Sequence, residues 1–153
     1  MTTARIDAAA SRRLAELGQR WTPTRRTIVA ALIGAKHPRT VPELCAARPE
    51  LKVSSVYRNL TVLEEAGIVH RIEAGEHARY ELAEDLSQRH HHHLLCSRCG
   101  RVEDFEPGGT VEQRAVEGLS RAARKLGWEV TSHRLDIVGI CATCRVARAG
   151  RRR

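Results

Sequence analysis

Residues 89–100 read RHHHHLLCSRCG: four consecutive histidines, His90 to His93, that lead within two residues into a Cys-x-x-Cys. Along an extended strand, successive side chains face opposite sides, so His91 and His93 share one face and His90 and His92 the other. A single run can therefore feed two sites on opposite faces of a sheet. The side chains that can complete such sites are Glu81 upstream, Asp104 on the expected neighbouring strand, and His133 in WEVTSHRLDIVGIC (128–141).

Cys96-x-x-Cys99 has a counterpart in Cys141-x-x-Cys144. Four thiolates suit a tetrahedral, closed, structural zinc site. A redox Cys-x-x-Cys is the rival reading, but two pairs and no thioredoxin-like βαβ pattern count against it. The 41 residues between the pairs exceed a zinc-ribbon spacing, so the metal would tie an early hairpin to a late strand across an inserted helix. Cys45 lies on an expected helix among apolar neighbours and reads as packing.

Upstream, the chain is helix-rich. Ile6, Ala10, Leu14 and Leu17 keep a helical period. Thr22 and Pro23 suit the N-cap and first turn of a second helix, and Thr40-Val-Pro-Glu43 fits a capping box opening a third. Ser54 is placed to cap a fourth, SSVYRNLTVLEEAG (54–67), in which Val56, Leu60 and Leu63 form the buried stripe. IVHRIEA (68–74) and ARYELA (78–83), joined around Gly75-Glu76, read as a hairpin. Helices followed by a two-stranded wing predict a winged helix-turn-helix. Ser54, Ser55, Tyr57 and Arg58 near the start of the fourth helix are then candidates for bonding phosphates and base edges.

The remainder reads β-β-α-β. Strands HHLLC (92–96) and RVEDF (101–105) flank the first Cys-x-x-Cys, Val111, Ala115, Leu119, Ala122 and Leu126 mark a helix, and residues 128–141 form a last strand. This unit is small and its sheet needs cover, which a partner subunit would supply. The expected organisation is a DNA-binding unit at 1–82, a polar hinge at 83–89 and a metal-binding dimerisation unit at 90–153 with a basic tail: an α+β protein.

The 153 residues carry 26 Lys+Arg against 18 Asp+Glu, a formal charge of +8 that favours a polyanionic partner. Five arginines of RVARAGRRR (145–153) supply much of it, and +3 remains without them, so DNA binding must come from local clustering. The N-terminus has no apolar leader and no stretch approaches a membrane span, so a cytoplasmic protein without a membrane partner is expected. No HExxH and no readable nucleophile–base pairing support the rival reading, a zinc-dependent hydrolase, so neither enzyme activity nor a small-molecule substrate is expected.

Taken together, HHHHLLCSRCGRVEDF, SSVYRNL and HRLDIVGICATC resemble the ferric uptake regulator superfamily over roughly residues 12–145. The resemblance implies a dimeric, metal-responsive transcriptional repressor on palindromic double-stranded operator DNA, with a winged helix joined to an α/β dimerisation domain. It implies major-groove contacts from Tyr57 and Arg58 and a minor-groove contact from Arg20. It assigns structural Zn2+ to the four cysteines and a regulatory ion (Fe2+, Zn2+ or Mn2+) to Glu81, His91, His93 and Asp104. A further site takes His90, His92 and His133, with Glu112 as a fourth ligand. Family sites often add a histidine just before the third helix. Here Pro38 holds that place, His37 lies one residue out of register, and His70 on the wing strand is a substitute. Zinc-sensing members carry a cysteine near the hinge that this chain lacks, and peroxide sensors favour aspartate where it has Glu81. The residues therefore lean toward an iron-type site, with zinc, manganese, nickel and peroxide sensing as the alternatives.

Overall fold

The computed structural model describes residues 3–150, with side chains through residue 147. Helix α1 (Thr3–Glu16) buries Ile6, Ala10 and Leu14, whereas Leu17 lies past its end and is exposed. Helix α2 (Pro23–Ile33) starts on Thr22, whose hydroxyl accepts the Arg25 N–H with proline in the first turn. Helix α3 (Val41–Ala47) opens on a complete capping box. Thr40 Oγ1 accepts the Glu43 N–H at 3.3 Å, and the Glu43 carboxylate accepts the Thr40 N–H at 2.8 Å.

Helix α4 (Val53–Glu65) corrects one expectation. Its N-cap is Lys52, not Ser54, because the N–H groups of Ser55 and Val56 both close on the Lys52 carbonyl at 2.9 Å. Ser54 is therefore inside the first turn and cannot cap it. The buried stripe of Val56, Leu60 and Leu63 is as the period predicts.

Strands β2 (Val69–Ala74) and β3 (His77–Leu82) pair antiparallel around Gly75-Glu76, and a two-residue strand, β1 (Arg39–Thr40), joins the other edge of β3. Two residues are too few to show a period, so β1 was not legible. Within the expected hinge, Glu84–Ser87 forms one helical turn, α5, and Ala83 and Leu86 are buried in the same core as the helices.

The second sheet has β4 (His92–Cys96) at its centre, antiparallel to β5 (Val102–Phe105) and parallel to β6 (Asp136–Gly139). Helix α6 (Gly109–Lys125) makes the crossover. The long last strand expected at 128–141 contracts to β6, because the five residues of β4 give a partner only from Asp136 to Gly139. Helix α7 (Ala142–Gly150) follows, where a basic tail was expected. None of α6 is buried, and its apolar stripe, with Val111, Leu119 and Leu126, is exposed along with Ile137 and Val138 of β6.

The wing and the second sheet touch. Ile72 and Ala74 pack with Leu95 and Val102. Gly75 and Gly100, both with positive φ, bring their backbones so close that a Cβ on Gly100 would stand 2.6 Å from the Ala74 carbonyl oxygen. Arg79 Nε donates to the Gly100 carbonyl at 2.9 Å and its Nη1 to the Pro38 carbonyl at 3.1 Å. No helix of the described residues is long and apolar enough to cross a membrane.

Candidate metal centres and nucleic-acid face

The extended chain through β4 separates the histidine run as alternation requires. Three groups of side chains result, and in each the potential donor atoms lie within 4.8 Å of one another: Cys96, Cys99, Cys141 and Cys144; His90, His92, Glu112 and His133; and Glu81, His91 and His93.

The four thiols converge from the end of β4, the turn before β5, the end of β6 and the first turn of α7. Cys99 Sγ and Cys141 Sγ stand 3.8 Å apart. Two sulfurs bonded at about 2.3 Å to one tetrahedral ion are separated by about 3.8 Å, so this spacing fits zinc. The backbone amide of Cys141 donates to Cys96 Sγ, and with the amides of Cys99 and Arg98 it brings that thiol down to about 6. Hydrogen bonds to Cys99 and Cys141 instead push Cys144 up to about 12. One thiolate forms readily, and four need a cation in their midst.

In the second group, Glu112 from the first turn of α6 turns one oxygen, Oε1, to three imidazoles. His90 Nε2 lies 2.5 Å away, His133 Nε2 3.0 Å and His92 Nε2 3.3 Å. Hydrogen bonds from His133 and His90 hold the Glu112 carboxyl down at about 2. His90 is raised by its hydrogen bonds to Glu84, at Nδ1, and then to Glu112. His92 is 1% exposed, and neither of its ring nitrogens makes a hydrogen bond, since the 3.3 Å approach to Glu112 lacks the geometry. A buried imidazole with two orphaned nitrogens calls for a ligand. His133 reaches this group from the irregular segment before β6, not from a strand face as expected, and it is half-buried.

The third group spans the two sheets. Glu81 on β3 sets Oε2 3.1 Å from His91 Nε2 and 3.2 Å from His93 Nε2. Burial opposes ionisation of Glu81, but its bonds to His93 and His91 outweigh that and lower its pKa. Burial likewise opposes the charge on His93, and Glu81 with Asp136 outweighs it, so His93 is raised. With Nδ1–H donating to the Arg89 carbonyl (3.1 Å), a neutral His91 would point a lone pair at Glu81. Two lone pairs so placed attract only with a cation between them, a proton or a metal. Adjacent ligands about 2.1 Å from one octahedral ion stand about 3 Å apart, so the spacing fits a divalent metal.

Asp104 departs from the expected ligand set. It faces His93 across the ladder, but its Oδ2 stays 3.9 Å from His91 Nε2 and pairs with Arg89, and its buried Oδ1 has no partner. The side chain that His93 Nδ1 meets instead is Asp136, at 3.1 Å. Neither Asp136 nor Glu84 was picked out from the sequence. Asp136 had a signal, as a carboxylate in the strand that delivers His133 and Cys141. His37 lines a cavity of about 220 Å³ with Glu81, His91 and Asp104, and His70 lines another of about 260 Å³ with Glu81, His91 and His93.

On α4, Ser54, Tyr57 and Arg58 are exposed opposite the buried stripe, and Arg20 is exposed in the α1–α2 loop. Ser55 is half-buried, and its carbonyl accepts from Asn59 Nδ2.

Residues 16–138 match the model of the ferric uptake regulator family. The chain is 35% identical over 136 residues to the peroxide operon regulator of Bacillus subtilis, covering 86% of this chain and 88% of that one. Among solved structures, the Helicobacter pylori ferric uptake regulator shares the fold, with a TM-score of 0.74 at 23% identity over 95% of both chains. The Pseudomonas aeruginosa ferric uptake regulator, solved with manganese, gives a TM-score of 0.67 at 26% identity over 87% of this chain and 98% of its own. With the family model covering most of its length, the chain belongs to the ferric uptake regulator family.

Proposed function

We propose that the chain is a metal-dependent transcriptional repressor of iron-type specificity that binds palindromic operator DNA as a homodimer. The observation that carries this reading is the position of Glu81, His91 and His93: a carboxylate on the wing strand facing two imidazoles of the second sheet. A divalent cation held there supplies bonds between the two units, and operator binding and metal binding then strengthen each other by linkage. Glu81, His91 and His93 hold the ion, and Asp136 orients His93. The four cysteines hold structural zinc, and His90, His92, Glu112 and His133 hold a further ion. The exposed stripe of α6 and the outer residues of β6 are the surface a second copy covers, which places two recognition helices on two half-sites. Tyr57 and Arg58 read the major groove and Arg20 the minor groove.

Ferrous iron suits the mixed imidazole and carboxylate donors, although zinc binds such sites more tightly. The Pseudomonas aeruginosa relative holding manganese supports a divalent ion in this fold. A second reading, peroxide sensing, is supported by the identity to the Bacillus subtilis regulator. The test is selection of duplexes from a random pool by protein loaded anaerobically with Fe2+, followed by anisotropy with Fe2+, Mn2+ or Zn2+. His91→Ala with His93→Ala should abolish metal-dependent binding and leave a folded, zinc-containing dimer. His90→Ala with His92→Ala should keep the response. Equal affinity with and without metal would overturn the reading. Release of DNA by hydrogen peroxide from the Fe2+ form alone would select the peroxide alternative.

A further inference from the structure

Arg25 occupies a position that the period of α2 gives to the core. It shares the buried face with Ile28, Val29 and Leu32 and is only 8% exposed. Among the described residues no carboxylate lies within 4 Å of its guanidinium, so the cation is buried on neutral acceptors alone. That is an expensive arrangement for a side chain that only fills space. What the charge obtains is a three-way fork. Nε donates to Asn59 Oδ1 at 3.0 Å, Nη1 to the Arg20 carbonyl at 2.6 Å and Nη2 to Gln19 Oε1 at 3.0 Å. Asn59 is held from its other end as well, since its Nδ2 donates to the Ser55 carbonyl at 2.8 Å and to Ser55 Oγ at 3.3 Å. A continuous path thus runs from the backbone of Arg20, through Arg25 and Asn59, to the first turn of α4.

We propose that Arg25 is a positioning residue that locks the α1–α2 loop to the recognition helix, so that Arg20 and the N-terminal turn of α4 engage DNA as one rigid unit. The proposal rests on the DNA-binding reading above. The planar guanidinium, with directed donors on three nitrogens, spans these acceptors, while a lysine ammonium at the same place keeps the charge and loses the directions. Arg25 itself touches no DNA in this scheme.

The experiment uses the full chain loaded with Mn2+, a duplex that the wild type enriches from a random pool, and a random-sequence duplex of equal length. Arg25→Lys and Asn59→Ala should each weaken binding to the enriched duplex about tenfold, the effect of one directed hydrogen bond to a charged group. Binding to random duplex and the salt dependence on both duplexes should stay as in the wild type, because no phosphate contact is lost. Arg20→Ala should cost less in the Asn59→Ala background than alone, since the unlocked loop no longer presents Arg20. Asn59→Ala serves as the readout if Arg25→Lys fails to fold. Equal losses on both duplexes, or an Arg20→Ala effect that adds in full to that of Asn59→Ala, would overturn the proposal. An Arg20→Ala variant that binds like the wild type overturns it too, but leaves the repressor reading standing. Enrichment of no duplex with any metal defeats the repressor reading itself, and this proposal with it.

Discussion

From Ile6 to Leu86 the chain gathers eighteen buried apolar side chains into one cluster, whereas beyond residue 90 only Leu95 and Val102 join Ile72 and Ala74 in a buried group of four. The second region has a seventeen-residue helix, α6, with no buried residue. What it has in place of a core is donor atoms: four thiols, and a carboxylate ringed by three imidazoles. A fully buried leucine contributes roughly 1.5–3 kcal/mol. A structural zinc contributes about 10–16 kcal/mol of apparent binding energy. The first region can therefore stand on apolar burial, and the second on coordination.

The largest effect should come from the thiols. Cys96→Ser removes one ligand from a site tying β4 to the end of β6 and the start of α7. Zinc loss should then melt the second region and abolish dimerisation, while amide protons of α2 and α4 keep their protection from exchange. Retained zinc and one unchanged melting transition would show that the second region does not depend on the metal. The converse substitution is Leu60→Ala, in the centre of the first core. It should cost about 2–5 kcal/mol, read as a lower denaturation midpoint for the first region with zinc content unchanged. Were both substitutions to lower a single common transition, the two regions would fold as one unit and the contrast would fail.

Legibility divided along the same line. In the first region the caps at Thr22 and Thr40 and the stripe Val56, Leu60 and Leu63 are local signals, so sequence and structure agree. Ser54 misled because a serine looks like a cap wherever it precedes an apolar period, and the bonds to the Lys52 carbonyl start the helix two residues sooner. Arg25 was hidden because a charge inside an apolar stripe reads as an interruption, and only the fold brings Gln19, Arg20 and Asn59 around it. In the second region the alternation of His90 to His93 parts the imidazoles into two groups, His91 with His93 and His90 with His92. It failed for Asp104, since facing His93 in the ladder does not bring a side chain to the ring nitrogens, and β6 supplies Asp136 instead. Helix α7 was missed because its arginines suggest a solvated tail.

The joint between the regions gives an intermediate effect. Gly100→Ala places a methyl 2.6 Å from the Ala74 carbonyl oxygen at a residue whose φ is +65°. The strain should cost about 1–3 kcal/mol. It should fall on the contact and not on either region, so zinc content and the buried α4 stripe stay intact while exchange quickens at Gly75 and around Arg79. A loss confined to the zinc site would show that Gly100 serves only the turn between Cys96 and Cys99.

The smallest effect, and the finest test of the contrast, is the pH dependence of the metal-free protein. In the second region His90 is raised above 6.5 by Glu84 and Glu112, and Glu112 is lowered from 4.5 to about 2 by His133 and His90. A raised histidine contributes stability that is complete below its unfolded value and is lost as pH rises through the folded one. A lowered carboxylate contributes stability that is present above 4.5 and is lost as pH falls through about 2. The metal-free second region should thus be most stable between about pH 4.5 and 6.5 and should lose a few degrees of melting temperature from pH 6 to 8. In the first region the shifted groups are Glu43 and Glu81, both lowered from 4.5, and Tyr80, raised from 10, and all three titrate outside that interval. Its transition should stay flat from pH 6 to 8. Divalent metal reverses the sign for the second region, because the ion binds deprotonated imidazoles and gains as protons leave. Calorimetry of the two transitions at pH 6, 7 and 8, with and without Mn2+, reads all of this at once. A second-region transition that rises with pH in the absence of metal would mean that proton-shared contacts between histidine and carboxylate are not what holds the metal-free site together.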